Sequence, residues 1–315
     1  MEINEMYGRI QKKLNHFFFQ SGSSKNLGIS RFLFFGIVFI FYCDDDFSYW
    51  ADVPEFLWSP IIVFKYLHIH LLTSEILKLL SYVWLLSLFL SSIGLFTRFS
   101  TVVAFIVGFY LLGIVNSIGK LQHMENMMVL VFAVMAFSRS GDSFSIDRWL
   151  KDRSFLYKSD KSSVTARQIE GEYTWPVRLI WVLMTLVFCA AAVSKLRNSG
   201  IEWITSDNLS NIFILVQFVD MRGEPVIESL APWLGGKPLL CSFLAGTIVV
   251  LEMFAPLALF HSILRAVIVP SLFLMVCGFW IVMGVPFPQL LMCFIFWVPW
   301  DRLTGLIKQP PVQVG

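Results

Sequence analysis

VRLIWVLMTLVFCAAAVSKLRNSGIEW, Val177 to Trp203, decides how the rest of the chain is read. Arg178 apart, no charge interrupts Val177 to Ser194, and at 1.5 Å rise per residue the run covers roughly 27 Å, close to the hydrocarbon thickness of a bilayer. Lys195 therefore closes a span at a membrane face. The last turns before it, Cys189, Ala190, Ala191, Ala192 and Ser194, are small, which in lipid lets neighbouring helices approach closely and enclose the amine. A lysine in a low-dielectric pocket loses the hydration of its charged form and can serve as a neutral base. The competing reading is an anchor, since helix-end lysines commonly snorkel to the interface.

Composition agrees with a lipid environment. A mean hydropathy of +0.70, with 57% hydrophobic and 15% charged residues over 315 positions, excludes an ordinary soluble domain and a disordered chain. The fold class that follows is an all-α, polytopic transmembrane helix bundle with membrane lipid as its solvent. A formal charge of +2, dispersed along the chain, does not point to nucleic acid. Cys43, Cys189, Cys241, Cys277 and Cys293 form no CxxC pair and fall mostly in apolar segments, so they read as small core residues. Met1 to Lys25 is polar and basic, unlike a cleavable signal peptide.

The apolar runs predict about eight spans: from near Leu27 to Cys43, Ile76 to Phe96, Ser100 to Val115, Leu121 to Phe137, the opening stretch, Pro238 to Phe260, Leu264 to Met283, and Phe287 to Trp300. Thr97 and Arg98 are expected to form a tight turn. Ile212 to Val219 is too brief to span and fits a re-entrant or surface piece. Trp50 and Trp58 place the first long connection at an interface. Lys and Arg concentrate in the leader, at Arg98, between Arg139 and Pro176, at Arg265 and in the tail, on alternate connections. The positive-inside rule then sets both termini in the cytoplasm. The expected organisation is a cytoplasmic leader at 1–30, a transmembrane domain at 31–303 with a cytoplasmic loop at 139–176, and a short tail at 304–315.

With that topology His68, His70, His123 and Lys195 share the outer side. His123, Glu125 and Asn126 lie in the first turns of the fourth predicted span, where polar groups face protein or a water-filled cavity. His123 fits a hydrogen bond to an anionic or quinol oxygen, or equally to a loop carbonyl. Glu252, in VVLEMFAPLALF, is the deepest acid, and Pro256 just beyond it loosens the backbone. It fits either chemistry or a helix-to-helix hydrogen bond. His68-x-His70 with His123 suggests a metal only weakly, because nothing fixes a third ligand, so no metal is assigned. GxSxG, HExxH and Gly-rich phosphate loops are absent from the sequence.

Several pieces in order then take on a family pattern: GISRFLFFG (28–36), YWADVPEFLWSP (49–60), QHMENMMVLVFAVMAFS (122–138) leading to GDSFSIDRW (141–149), and WPVRLIWVLM (175–184) running into AVSKLRNSGIEW (192–203). Together they resemble the HTTM family, the membrane domain shared with vitamin K-dependent gamma-carboxylases, over nearly all of Arg31 to Trp300. The resemblance implies that Lys195 is the base that takes a proton from a reduced, vitamin K hydroquinone-like quinone, with His123 as the nearby hydrogen-bonding group. In such carboxylases the oxidised quinone then deprotonates a glutamate side chain, which captures carbon dioxide. Arg31, Trp203 and Glu252 fall where the resemblance implies similar residues in relatives and are read as structural, with Trp203, Glu252, Glu125, Asn126, His68 and His70 expected to bind substrate or support the site.

Two departures accompany it. The chain ends soon after Trp300, so the large substrate-holding region of true carboxylases is expected to be missing, and MVCGFW (275–280) offers Met275 and Cys277 where relatives often carry a histidine. Short bacterial relatives include a helper in the maturation of a secreted peptide toxin. The expectation is thus a multi-pass protein of a bacterial inner membrane that uses Lys195 on a quinol or lipid. Its alternative is a non-catalytic accessory that partners a secreted peptide or its maturation proteins. A small-anion carrier has less support, because few predicted spans are broken or charged.

Overall fold

The computed structural model describes residues 2–118, 125–153, 169–216, 218, 224–303 and 305. Their regular structure is helical apart from one two-residue antiparallel pair, Gly22–Ser23 (β1) with Ile169–Glu170 (β2), Gly22 opposite Glu170, and a single bridge between Trp58 and Ile118. The longer helices are α1 (Glu2–Phe18), α2 (Ser24–Tyr42), α3 (Ser74–Ile93), α4 (Thr97–Val115), α5 (Asn126–Phe137), α6 (Trp175–Ser199), α7 (Pro238–Met253) and α8 (Ser262–Met283). Five of them, α2, α3, α4, α6 and α8, are long and apolar enough to cross a membrane. Three shorter apolar helices accompany them: α5, α7, and Pro288–Cys293 with its 3₁₀ continuation to Trp297. The protein is an all-α, membrane-embedded chain.

Several boundaries move for identifiable reasons. The first span opens at Ser24 rather than near Leu27, because the Ser23 hydroxyl accepts the Lys25 amide hydrogen at 3.2 Å and caps it. The reversal between α3 and α4 falls at Gly94–Phe96, not at Thr97–Arg98. Gly94 takes φ +71, the left-handed conformation that terminates a helix without a Cβ clash, and Thr97 already belongs to α4. The sixth predicted span is α-helical only to Met253 and continues as a 3₁₀ turn, Ala255–Leu259, where Pro256 brings no amide hydrogen to the ladder. The leader, read only as polar and basic, is largely the helix α1.

The chain forms two compact units: Met1–Ile180 with Ile295–Gly315, and Trp181–Phe294. In the first, α2 packs on α3, α3 on α4, and α4 on α5. Phe34, Phe35, Trp84, Phe132 and Phe296 are fully buried there, with Phe34 meeting Phe132 and Phe296 at ring separations of 5.6 and 5.4 Å. The Trp84 indole donates to the Ala104 carbonyl at 3.1 Å, so its polar edge is satisfied inside the core. Arg31 is also fully buried, and its guanidinium donates to the carbonyls of Ser91 and Phe144, each at 2.5 Å. It thus joins α2 to the end of α3 and to the 139–149 connection.

The long connection after α2 is not loose. Its 3₁₀ turn Phe47–Asp52 lies on α3, and the Ser59 amide donates to the Ser117 carbonyl at 2.7 Å, fastening it beyond the end of α4. Tyr49, Phe56 and Tyr66 remain exposed, as aromatic rings at an interface would be. In the polar loop, Arg139 pairs with Asp142 at 2.8 Å and Glu172 at 2.6 Å, while the Tyr173 hydroxyl donates to Asp142 at 2.9 Å. The Glu172 hydrogen bond is the largest cause holding the Arg139 guanidinium above its ordinary range.

The second unit is built on Leu209, Phe213, Ala231, Cys241 and Ala245, which bring the helices Asn208–Leu215 and Leu230–Gly235 against α7. In the piece read as re-entrant or superficial, Phe213 and Val216 are buried, while Ile214, Leu215 and Phe218 are exposed. The Ser210 hydroxyl secures it by donating to the Gly235 carbonyl at 2.5 Å.

Candidate functional site

Within the second unit, α6 carries Lys195 one turn before its end. Gly200, at φ +60, stops that helix, and the short helix Glu202–Thr205 follows at once. The reversal brings the Trp203 ring beside Lys195, its centroid 5.1 Å from Nζ, where a cation is attracted by the face of the indole. Trp203 thus belongs to the helix after the one that carries Lys195.

Glu252 completes the group from the last turn of α7. Its side chain is 4% exposed and that of Lys195 is 23% exposed. The Lys195 ammonium donates to Glu252 Oε1 at 2.6 Å and also contacts Oε2, so one carboxylate holds it through both oxygens. Charge-assisted hydrogen bonds of this kind are the strong ones, and they fix both side chains.

The neighbouring contacts set the depth of the pair within its unit. A Cβ on Gly246 would meet Ile204 at 3.5 Å, so 195–204 and 246–252 run past one another in opposite directions. From Pro238 to Glu252, α7 rises roughly 21 Å. Its first half therefore extends beyond Lys195 and packs on Glu202–Thr205 and Asn208–Leu215. The ammonium is partly exposed and is held by Glu252. Of the small residues preceding Lys195, Ala192 is fully buried, while Ala190 and Ser194 are exposed.

The remaining candidates belong to the first unit. Glu125 is buried just before α5, with the Asn116 amide 3.5 Å from Oε2, and Asn126 is exposed at the first position of that helix. His68 and His70 are both exposed. His68 sits at φ +53, and the His70 carbonyl accepts from the Tyr110 hydroxyl at 3.0 Å. His123 lies outside the described residues, as does the start predicted for its helix at Leu121. Among the described residues no group of three or more His, Cys, Asp and Glu side chains is placed to hold a metal.

Sequence reading missed two further roles. Asp147 caps the start of α4: Oδ1 accepts from the Phe96 amide at 2.8 Å, and Oδ2 accepts from the Thr97 amide and hydroxyl, each at 2.7 Å. Ser145 accepts from the Arg148 amide at 3.0 Å and donates to the Gly141 carbonyl at 2.5 Å. The Ser-x-Asp turn thus fastens backbone. The signal was the Asp itself, a strong cap residue, but its helix starts 50 positions away in sequence.

Fold and site together define a class: an all-α membrane-embedded protein with a lysine–glutamate pair enclosed at the end of an apolar helix. No protein-family model, curated protein or solved structure matches the chain.

Proposed function

We propose that this chain is an HTTM-like protein, akin to the membrane domain of vitamin K-dependent gamma-carboxylases, and that Lys195 acts as a base on a quinol or related lipid, with Glu252 as its proton partner. The observation that carries the reading is the enclosed Lys195–Glu252 pair. A proton held along that hydrogen bond can reside on the carboxylate, leaving the amine lone pair for a hydroxyl proton of the substrate. What supports a hydroquinone is the chemistry of the donor set: an amine and a carboxylate for a ring hydroxyl, and the indole of Trp203 for the ring. A reduced quinone, when bound, supplies the acidic hydroxyl and the reducing electrons. The chain supplies the proton acceptor and buries the carboxylate that holds it. In this reading the eight-span arrangement with both termini cytoplasmic holds, the site faces the outer side of a bacterial inner membrane, and His123 assists.

The test is turnover of a reduced naphthoquinone by the purified protein in lipid nanodiscs, followed by ultraviolet absorbance and oxygen uptake. Lys195→Ala should abolish it and Glu252→Gln should reduce it strongly. Equal turnover in Lys195→Ala removes the proposal.

One observation favours a second reading. The carboxylate satisfies the ammonium through both oxygens without a ligand, as in a packing lock. The protein is then a non-catalytic accessory for maturation or export of a secreted peptide, and quinol turnover is absent from the unmodified chain.

A further inference from the structure

The helix α1 is amphipathic, and among the described residues nothing covers its apolar side. Met6, Tyr7, Ile10 and Leu14, spaced at i, i+1, i+4 and i+8, fall on one side, and all four are exposed. Arg9, Lys12 and His16 fall away from it, together with Glu5, and Lys13, seven residues from Met6, stands at the edge of the stripe. Water would leave that apolar stripe unsatisfied.

The far end of the helix is tied down. After Phe18 the chain reaches α2 in five residues, and β1 within that elbow pairs with β2 just before α6. The backbones touch closely here, since a Cβ on Gly171 would collide with the Phe19 backbone. Arg178, at the start of α6, stacks over the Phe17 ring at 5.1 Å and donates to Gln20 at 3.4 Å. Therefore α1 leaves the fold where two membrane-crossing helices, α2 and α6, both begin.

We infer that α1 lies in the plane of the membrane on the leaflet where α2 and α6 begin, with Met6, Tyr7, Ile10 and Leu14 in the acyl boundary and Arg9, Lys12 and Lys13 among anionic lipid headgroups. Two features select the bilayer over another protein surface. The helix leaves the fold where two helices long enough to cross a membrane begin, and the side away from the stripe carries the cationic charge that attracts an anionic leaflet. The inference is independent of the Lys195 chemistry.

The test is amide hydrogen exchange of the full-length chain reconstituted in nanodiscs of phosphatidylcholine, with and without phosphatidylglycerol. Protection over residues 5–17 should rise by about tenfold when the anionic lipid is present, reflecting the few net charges engaged, while α4 serves as an unchanged reference. Lys12→Glu with Lys13→Glu should remove the anionic-lipid increment, and Ile10→Asp should remove protection in both lipids. Equal protection with and without phosphatidylglycerol overturns the inference. So does protection that depends on two copies sharing a disc, or its complete absence.

Discussion

Lys195 and Glu252, 57 residues apart, form one enclosed ion pair, with Oε1 of the carboxylate 2.6 Å from the ammonium. Such a pair couples stability to chemistry, because removing either partner strands the other. Lys195→Ala and Glu252→Leu should each cost about 3–5 kcal/mol, less whatever lipid headgroups or water restore. The double change Lys195→Met with Glu252→Leu should recover most of that loss in a thermal unfolding assay in detergent. If quinol turnover exists, it stays absent in the stable double variant, which separates folding from proton transfer.

Asp147 contributes three hydrogen bonds to the start of α4 through a single carboxylate. Asp147→Ala should lower stability by about 1–2 kcal/mol, and amide exchange at Phe96 and Thr97 should accelerate. Asp147→Asn keeps one acceptor oxygen and should retain part of the effect. Unchanged exchange at both amides in the alanine variant would contradict the capping role.

Arg31 forks between two carbonyls on separate segments. Lysine carries a compact charge without that planar fork, so Arg31→Lys should destabilise despite keeping the charge, by about 1–3 kcal/mol for the hydrogen bond left unmade. A thermal midpoint equal to that of the unmodified chain would refute this. The loss should be local as well, with faster exchange near Phe144.

Two adjacent acids outside the spans respond to pH in opposite senses. Asp46 accepts from the Ser48 amide at 2.9 Å, and its hydrogen bonds to Ser48 hold its carboxyl below the usual range. Its contribution is complete above about pH 4, the unfolded value, and is lost as pH falls through the lower folded value. Burial, then the neighbouring Asp44, pushes the Asp45 carboxyl up. Its protonation therefore relieves the folded state as pH drops toward the unfolded value from above. Protection of the Ser48 amide, relative to its intrinsic exchange rate, should hold to about pH 4 and fall below it. Asp46→Asn should flatten that dependence, and an unaltered profile in this variant would count against it.

Helical character and lipid solvent were legible because both are local properties. A run of apolar residues about the length of a bilayer, with no partner for its backbone except itself, has only the helix available to it. The amphipathic spacing of Met6, Ile10 and Leu14 was legible in the same way, yet the charges of the leader masked it.

Lys195 could be found from sequence because it interrupts an apolar run. That Glu252 is its partner could not. The pairing depends on where Gly200 stops α6, on where α7 gives way to the 3₁₀ turn at Ala255, and on how far α7 runs past its neighbour. The sequence by itself determined that this chain is helical, lives in lipid and carries an unusual lysine at a helix end. Only the tertiary structure decided that the lysine is held by a carboxylate and an indole, because contacts between distant residues follow from helix ends and packing depth, which no local pattern encodes.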